Sequence, residues 1–154
     1  MEKRYYIAYG SNLNVRQMYH RCPGARIVGI AMVKDYELLY KGSKTGAYLT
    51  IEPKEGCQVP VAVWSVTPED EKNLDIYEGF PTFYYKKNFK LKVAMANGKA
   101  KNLDVFAYIM HEERKLGKPF WQYIEVCKDG YTAFGFNHRY LDEAYVKSVK
   151  GALK

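Results

Sequence analysis

Apolar residues alternate with polar ones over much of the first two-thirds of the chain, whereas helical spacing is concentrated near its end. Alternation is typical of strands that bury one face, and a continuous apolar run is typical of a fully buried strand. Strands are predicted at residues 4–9, 26–33, 35–40, 47–51, 59–66, 84–95 and 103–110. Asn97-Gly98 is a strong hairpin turn between the last two. From Pro119 onward the chain is predicted to be helical in two pieces, broken at Gly130 to Gly135, so the pattern favours an α+β fold over an alternating α/β fold.

The composition is that of a folded globular protein. Of the 154 residues, 47% are apolar and 27% are charged. We expect one domain over residues 1–154, because no linker or internal repeat interrupts the chain. No stretch approaches the roughly 20 apolar residues of a membrane-spanning helix, and the N-terminus lacks the pattern of a signal peptide. Disordered, membrane and secreted classes are therefore disfavoured.

Charge and cysteine content bear on partners and compartment. The 24 Lys and Arg residues exceed the 17 Asp and Glu residues, which gives a net charge of +7. This excess favours anionic partners, whether small carboxylates or nucleic acid. Cys22, Cys57 and Cys127 are odd in number and widely spaced, which indicates free thiols in a reducing compartment. We therefore expect a cytoplasmic protein.

Several common kinds of catalytic machinery have no signature in the sequence. His20, His111 and His138 are not paired at ligand spacing, and no Cys pair has the spacing of a zinc site. Ser11 lacks the Gly-x-Ser-x-Gly context of a nucleophile, and no Gly-rich phosphate loop occurs. We therefore expect no metal and no cofactor, and we interpret each histidine as a surface or core residue.

The predicted hairpin is rich in lysine, interleaved with aromatic residues. Basic and aromatic side chains on a sheet can bind single-stranded nucleic acid. A solvated strand face, whose lysines oppose edge-to-edge aggregation, explains the same pattern and is the interpretation that we favour. Nucleic acid is therefore not the expected partner. The residues concerned are Lys86, Lys87, Lys90, Lys92, Lys99 and Lys101, with Tyr84, Tyr85 and Phe89.

The first predicted helix is entered through Tyr9-Gly10-Ser11-Asn12-Leu13, directly after the first strand. Residues 15–20 have helical spacing, Asn12 or Asn14 can cap them, and Cys22-Pro23-Gly24 ends the helix. A strand that turns into a helix through Gly-Ser-Asn exposes backbone N–H groups, which can hold a carboxylate or a developing oxyanion. A plain strand-to-helix turn has the same spacing, so both interpretations stay open.

The central helix has clear start and stop signals. Thr67 can cap it, Pro68 suits its first position, and it should run to about Glu78 and stop at Gly79. A carboxylate in the last turn opposes the helix dipole, and aromatic neighbours can desolvate it, so we expect a raised pKa for Glu78. Such a group suits a proton shuttle, whereas an exposed helix-end Glu is the alternative. The neighbours are Tyr77, Phe80, Phe83 and Tyr84.

Two motifs together resemble the γ-glutamylcyclotransferase-like (AIG2-like) family. They are Tyr9-Gly10-Ser11-Asn12-Leu13 after the first strand and Tyr77-Glu78-Gly79-x-Pro81-x-x-Tyr84 at the end of the central helix. The similarity continues through residues 25–40, 47–51 and 107–110 to Pro119-x-x-x-Tyr123 and the C-terminal helices. Phe120 departs from the family pattern, in which Ser often follows the Pro. The ordered set covers nearly the whole chain.

The resemblance implies a small mixed β-barrel flanked by helices, which agrees with the α+β prediction. It also implies a cofactor-independent reaction of the lyase or acyl-transfer type. The α-amine of a γ-glutamyl amide attacks its own γ-carbonyl, which releases 5-oxoproline and a free amine or amino acid. Because the nucleophile is tethered to its target, the enzyme needs no nucleophile or metal of its own. The expected partner is a small-molecule γ-glutamyl substrate.

The resemblance also implies roles for individual residues. Glu78 matches the family's acid/base, which would carry a proton from the α-ammonium to the leaving amine. Tyr9, Gly10, Ser11, Asn12 and Leu13 match the substrate-anchoring loop, with backbone amides as donors. Tyr6 is a candidate to line the same pocket. Tyr108 and Tyr123 match positions near the substrate, where their hydroxyls can bind its carboxylate or their rings can simply pack in the core.

Several alternatives stay open at this point. The leaving group can be an amino acid, an alkyl amine or isopeptide, or a protected metabolite, and Lys44 and Phe80 are candidates to border it. A non-catalytic module that binds a small ligand on the same scaffold is the alternative function, although the presence of Glu78 weighs against it. Exposed aromatic residues can support a homodimer, but the same residues can pack in the core.

Overall fold

The fold is a closed five-stranded barrel. The structure, a computed structural model, describes residues 2–153, so Met1 and Lys154, the two ends of the predicted domain, lie outside the described residues. Around the barrel the strand order is β1-β3-β2-β4-β5. The β1–β5 pair is parallel and the others are antiparallel, so the barrel is mixed. The strands are β1 (Arg4–Ala8), β2 (Arg26–Lys41), β3 (Tyr48–Val66), β4 (Tyr84–Met95) and β5 (Ala100–Met110).

Helices flank the barrel, so the α+β prediction and the expected barrel are both confirmed. Asn14, one of the two predicted caps of the first helix, accepts a hydrogen bond from the Gln17 N–H at 3.1 Å. Thr67 caps the second helix reciprocally with Asp70, as predicted. The elements are a 3₁₀ turn at Ser11–Leu13 and the helices α1 (Val15–Arg21), α2 (Pro68–Glu78), α3 (Trp121–Phe134) and α4 (Arg139–Ala152).

The structure corrects the prediction of separate strands at 26–33 and 35–40, and at 47–51 and 59–66. Each pair forms one long strand, β2 or β3, and these two strands pair with each other over most of their length. The predicted break is a bulge at Asp35, where φ is +60°. The Asp35 carboxylate accepts a hydrogen bond from the Gly56 N–H at 3.0 Å. The polar residues therefore bend a continuous ribbon instead of ending it.

Two other predicted boundaries are also corrected. Helix α3 runs through Gly130 and ends at Gly135, where φ is +71°. A Cβ at position 130 would lie 2.5 Å from the carbonyl carbon of Leu13, so Gly130 serves close packing and not a turn. The strand predicted from residue 103 begins at Ala100, because the tight Asn97-Gly98 turn lets the residues beside it pair at once.

The core fills the barrel and the helix faces that cover it. It includes Ile7, Trp64 and Phe106, together with the thiols of Cys22 and Cys127. Burial raises the pKa of both thiols to about 12, so neither is a ready nucleophile. Within residues 2–153, no helix combines the length and the apolar character needed to cross a bilayer.

Candidate active site

A cavity of about 340 Å³ lies between the barrel, the 3₁₀ turn, the end of α2 and the start of α3. Every predicted site residue lines it except Leu13, which is buried and packs beneath Gly130. The predicted residues in the lining are Tyr6, Tyr9, Gly10, Ser11, Asn12, Glu78, Tyr108 and Tyr123. The rest of the lining is Tyr48, Leu49, Ile76, Tyr77, Gly79, Phe83 and Tyr84.

The cavity has a buried polar end and an exposed apolar mouth. Residues of the inner end are almost inaccessible to solvent and include the hydroxyl or amide groups of Tyr6, Tyr9, Ser11 and Asn12. At the mouth, by contrast, Ile76 is 80% exposed, Tyr48 46% and Tyr77 44%. A polar ligand group therefore fits the inner end, and an apolar group fits the mouth.

The 3₁₀ turn contributes backbone donors to the inner end. Leu13 and Asn14 donate back to the carbonyls of Gly10 and Ser11, at 3.0 Å each. Among the described residues, the N–H groups of Ser11 and Asn12 have no recorded acceptor. A Cβ at Gly10 would lie 3.3 Å from the Tyr123 hydroxyl and from Leu49 Cδ1, so a larger residue would require these neighbours to shift by a few tenths of an ångström. The turn therefore offers N–H groups beside a hydroxyl-rich wall.

Helix α2 brings three carboxylates to one of its faces, at the spacing of Glu71, Asp75 and Glu78. Glu71 pairs with Arg4 at 2.7 Å and with Lys86 at 2.6 Å, and Lys86 also pairs with Asp75 at 2.8 Å. Glu78 has no ion pair or hydrogen bond recorded within residues 2–153. The first two carboxylates thus fix α2 to the barrel, and the third is left facing the cavity. Lys86 is consequently a structural residue and not part of a solvated strand face.

Glu78 carries a raised pKa, in the direction expected from the sequence. Burial in the aromatic lining raises the pKa of its carboxyl group to about 8, and the positive charge of Arg21 opposes that shift. Arg21 itself stacks on the Tyr77 ring at 3.5 Å and donates to Asn12 Oδ1 at 2.5 Å. Desolvation is therefore the main cause of the shift. A carboxyl group with this pKa can both accept and return a proton near neutral pH.

Three tyrosines of the lining have hydroxyl protons that are already committed. Tyr9 donates to the Tyr108 carbonyl at 2.6 Å, and Tyr84 donates to the Leu49 carbonyl at 2.9 Å. Tyr108 donates to Asp75 Oδ1 at 2.6 Å. Since each phenol has one proton, these three oxygens can offer only lone pairs to a ligand.

In two other tyrosines of the lining, the hydroxyl oxygen accepts a hydrogen bond from the protein. The Tyr6 oxygen accepts from Asn12 Nδ2 at 2.9 Å, and the Tyr123 oxygen accepts from the Leu49 N–H at 3.1 Å. In the part of the chain that the structure describes, the Tyr6 proton has no acceptor, whereas the Tyr123 hydroxyl also hydrogen-bonds the Cys127 thiol. Burial raises the pKa of both phenols well above the ordinary value, and the Glu78 charge adds to the effect at Tyr6. Both phenols therefore remain neutral, and Tyr6 is the one whose proton is left for a ligand.

Most of the residues at the mouth of the cavity were not predicted from the sequence. Tyr48, Ile76 and Phe83 carry no motif signal of their own and meet only through the packing of β3 against the end of α2. Of the two residues expected to border a leaving group, Phe80 packs on Tyr108, with ring centroids 6.4 Å apart, and Lys44 is exposed. Neither of these two lines the cavity.

Phe120, which departs from the family pattern, also lies outside the cavity lining. Its ring packs over Gly46, where a Cβ would be 2.6 Å from the ring. No group of three or more His, Cys, Asp or Glu side chains among residues 2–153 has a geometry that could hold a metal ion. The chemical groups available in the cavity are thus one carboxyl, several hydroxyls and backbone N–H donors.

Comparison with known proteins places this chain in a family. The model of the family described as gamma-glutamyl cyclotransferase, AIG2-like, matches residues 6–125. The chain is 30% identical to human gamma-glutamylcyclotransferase over 112 residues, a match that covers 68% of the chain and 58% of the human protein. The chain belongs to the gamma-glutamyl cyclotransferase, AIG2-like family.

Solved structures agree with this assignment. A structure of a gamma-glutamyl cyclotransferase has a TM-score of 0.75 and 25% identity, covering 93% of this chain and 86% of its own. A yeast gamma-glutamyl cyclotransferase specific to glutathione has a TM-score of 0.67, covering 97% of this chain and 96% of its own. At 9% identity, the yeast structure is evidence for the fold alone.

Proposed function

We propose that the protein is a γ-glutamylcyclotransferase that converts a γ-glutamyl amide into 5-oxoproline and a free amine, with Glu78 as the proton shuttle. The observation that carries this proposal is the placement of Glu78. It is the only charged side chain in the cavity lining among the described residues, and its pKa is raised to about 8. The family to which the chain belongs and its human relative's name support the same reaction class.

The polarity of the inner end suggests how the γ-glutamyl unit binds. An α-carboxylate needs donors, and the free N–H groups of Ser11 and Asn12 supply them together with the hydroxyl proton of Tyr6. Because these donors are neutral and buried, they bind an anion without an opposing charged side chain. In this assignment the donors come from the predicted anchoring loop and from Tyr6, one of the tyrosines predicted to line the pocket.

The α-ammonium needs acceptors, and the same end of the cavity provides them next to Glu78. The Tyr9 and Tyr84 oxygens offer lone pairs, because both protons are bound to backbone carbonyls. After desolvation, the charge of Glu78 is the next largest influence on the pKa of Tyr9, and it also raises that of Tyr84, which indicates that both phenols lie near the carboxyl. An ammonium held there is within reach of the base that must deprotonate it.

The reaction then proceeds through proton transfer, ring closure and release of the amine. Glu78, as the carboxylate, takes a proton from the α-ammonium, and the freed amine attacks the γ-carbonyl carbon to form the ring C–N bond. The protonated Glu78 returns its proton to the leaving nitrogen as the original amide C–N bond breaks. The regenerated carboxylate then takes the second proton from the ring nitrogen and passes it to the released amine, which departs as an ammonium. Since the attacking amine belongs to the substrate, the protein supplies only conformation and proton transfer.

Release of 5-oxoproline tests the proposal. We expect turnover of γ-glutamyl amides by the wild-type protein and a loss of at least about 100-fold in kcat for Glu78→Gln, since the neutral amide cannot accept the proton. Glu113→Gln is the matched control, because Glu113 is exposed and lies outside the cavity.

Retained turnover in Glu78→Gln would contradict the role of Glu78. Binding of 5-oxoproline to the wild-type protein without turnover of any γ-glutamyl amide would instead identify a non-catalytic binding module. Thermal denaturation of each variant shows whether a loss of turnover accompanies a loss of fold.

A further inference from the structure

The mouth of the cavity is apolar and aromatic on every side that its lining defines. Tyr48 makes edge contacts with Phe83 and Tyr123, at centroid distances of 6.3 and 5.1 Å, and Phe83 contacts Tyr84 at 5.2 Å. Ile76 of α2 also lines the cavity. A γ-glutamyl unit seated at the polar inner end leaves its amide substituent in contact with this aromatic wall.

The mouth also lacks a cation for an acidic leaving group. Among the described residues, Glu78 is the only charged side chain that lines the cavity. Arg114 stacks on the Phe83 ring at 4.3 Å, and Arg21 is bound to Asn12 and Gln17, but neither lines the cavity. A carboxylate in the mouth would therefore find no partner in the lining.

The carboxylate of a leaving amino acid would also lie close to Glu78. It is attached one carbon away from the scissile nitrogen, and Glu78 must approach that nitrogen to protonate it. Two carboxylates would then lie close together in a desolvated site, which is unfavourable. An uncharged substituent on the same nitrogen avoids this repulsion and gains contact with the aromatic wall.

We propose that the preferred substrates are γ-glutamyl amides of uncharged apolar amines, aromatic or alkyl, bound through a leaving-group subsite formed by Tyr48, Ile76 and Phe83. This inference rests on the proposed function and specifies its substrate class. Tyr48 is the clearest determinant, because its ring is 46% exposed and links the Phe83 and Tyr123 edges of the wall.

The test compares three compounds by kcat/KM for 5-oxoproline release. They are γ-glutamyl-phenethylamine, γ-glutamyl-phenylalanine, which adds only a carboxylate, and ε-(γ-glutamyl)-lysine, which has a charged far end. We expect the phenethylamine compound to be preferred over the phenylalanine compound by about tenfold or more, a free-energy difference of about 1.4 kcal/mol. The lysine compound should fall between them, because its charges extend beyond the mouth into solvent.

Variants assign the preference to the subsite. Tyr48→Ala should lower kcat/KM for the phenethylamine compound several-fold, and Tyr48→Phe should preserve it. Tyr19→Ala is the matched control, since Tyr19 is 39% exposed and packs on Trp64, away from the cavity. Ile76→Arg places a cation at an 80% exposed position of the lining and should shift the preference toward the phenylalanine compound.

Each outcome is decisive. Equal or better turnover of the phenylalanine compound, particularly if Arg114→Gln abolishes it, would overturn this inference and leave the proposed function standing. A preference for the phenethylamine compound that survives Tyr48→Ala and Ile76→Arg would overturn the assignment to this wall. Absence of 5-oxoproline from all three compounds would overturn the proposed function, and the substrate class with it.

Discussion

Replacing Glu78 by Gln should stabilise the fold at neutral and alkaline pH, although it removes the proposed proton shuttle. In the folded chain, burial raises the pKa of Glu78 from the ordinary 4.5 to about 8. Between these two values the folded state keeps a proton that the unfolded state has lost. The stability that this proton contributes is complete below pH 4.5 and is lost as the pH rises through about 8. Gln does not ionise and is free of this loss.

The size of the effect follows from the same linkage. Within the window from pH 4.5 to about 8, the free energy of unfolding falls by about 1.4 kcal/mol for each pH unit. At pH 7 the full relation gives roughly 3 kcal/mol. Because Glu78 is half-buried and solvent screens part of its charge, we expect Glu78→Gln to be more stable than wild type by about 1–3 kcal/mol at pH 7.

Urea denaturation from pH 5 to pH 8.5 measures this difference directly. The stability gap between Glu78→Gln and wild type should widen steadily with pH and level off above about pH 8. Glu113→Gln makes the same chemical change at an exposed position, and its free energy of unfolding should depend on pH in the same way as that of wild type. A gap that stays constant across the range would show that Glu78 ionises in the folded protein as it does in water, and the proton-shuttle argument would lose its electrostatic basis.

Three further predictions concern the site and its supports. The kcat/KM for 5-oxoproline release should rise with pH and level off above an apparent pKa near 8, because the Glu78 carboxylate accepts the first proton. The apparent pKa seen in kcat should be lower, because a bound ammonium lowers the pKa of Glu78. A profile that does not change with pH would contradict this prediction. Gly130→Ala should lower stability by about 1–3 kcal/mol in thermal denaturation, because its Cβ would meet Leu13; an unchanged Tm would refute the close contact. Lys86→Met should cost about 1–3 kcal/mol in urea, partly recovered at high salt, since two carboxylates lose their shared cation.

Local signals in the sequence were sufficient for the strand and helix types and for most of their ends. The caps at Asn14 and Thr67 were predictable because a capping side chain acts within its own turn. Asp35 and Gly130 were misread because turn-forming residues have several structural uses. A bulge at Asp35 and a close helix–turn contact at Gly130 depend on the neighbouring strand and helix, which a single segment does not contain.

In the candidate site, too, the part built from contiguous motifs was predictable and the part built from separate segments was not. Its inner end was predictable because the turn after β1 and the end of α2 are contiguous motifs, each with its chemistry in a few adjacent residues. The mouth was not, since Tyr48, Ile76 and Phe83 come from different segments and are ordinary apolar residues when taken alone. The hydroxyl polarity of Tyr9, Tyr84 and Tyr108 was equally hidden, because it depends on acceptors that are distant in the sequence.

The face of α2 connects the fold of the protein with its proposed chemistry. Glu71 and Asp75 share Lys86, so the charges that attach the helix to the barrel neutralise one another in the partly buried interface. Glu78 continues the same face by one turn, beyond that ion pair, where burial raises its pKa to about 8, so that both of its protonation states are accessible near neutral pH. A cation placed beside Glu78, as Lys86 is placed beside Asp75, would keep Glu78 ionised and make it a poor proton donor to the leaving amine. The spacing of charges on one helix therefore attaches α2 to the barrel through Glu71 and Asp75 and leaves Glu78 as the carboxylate for the proposed proton transfer.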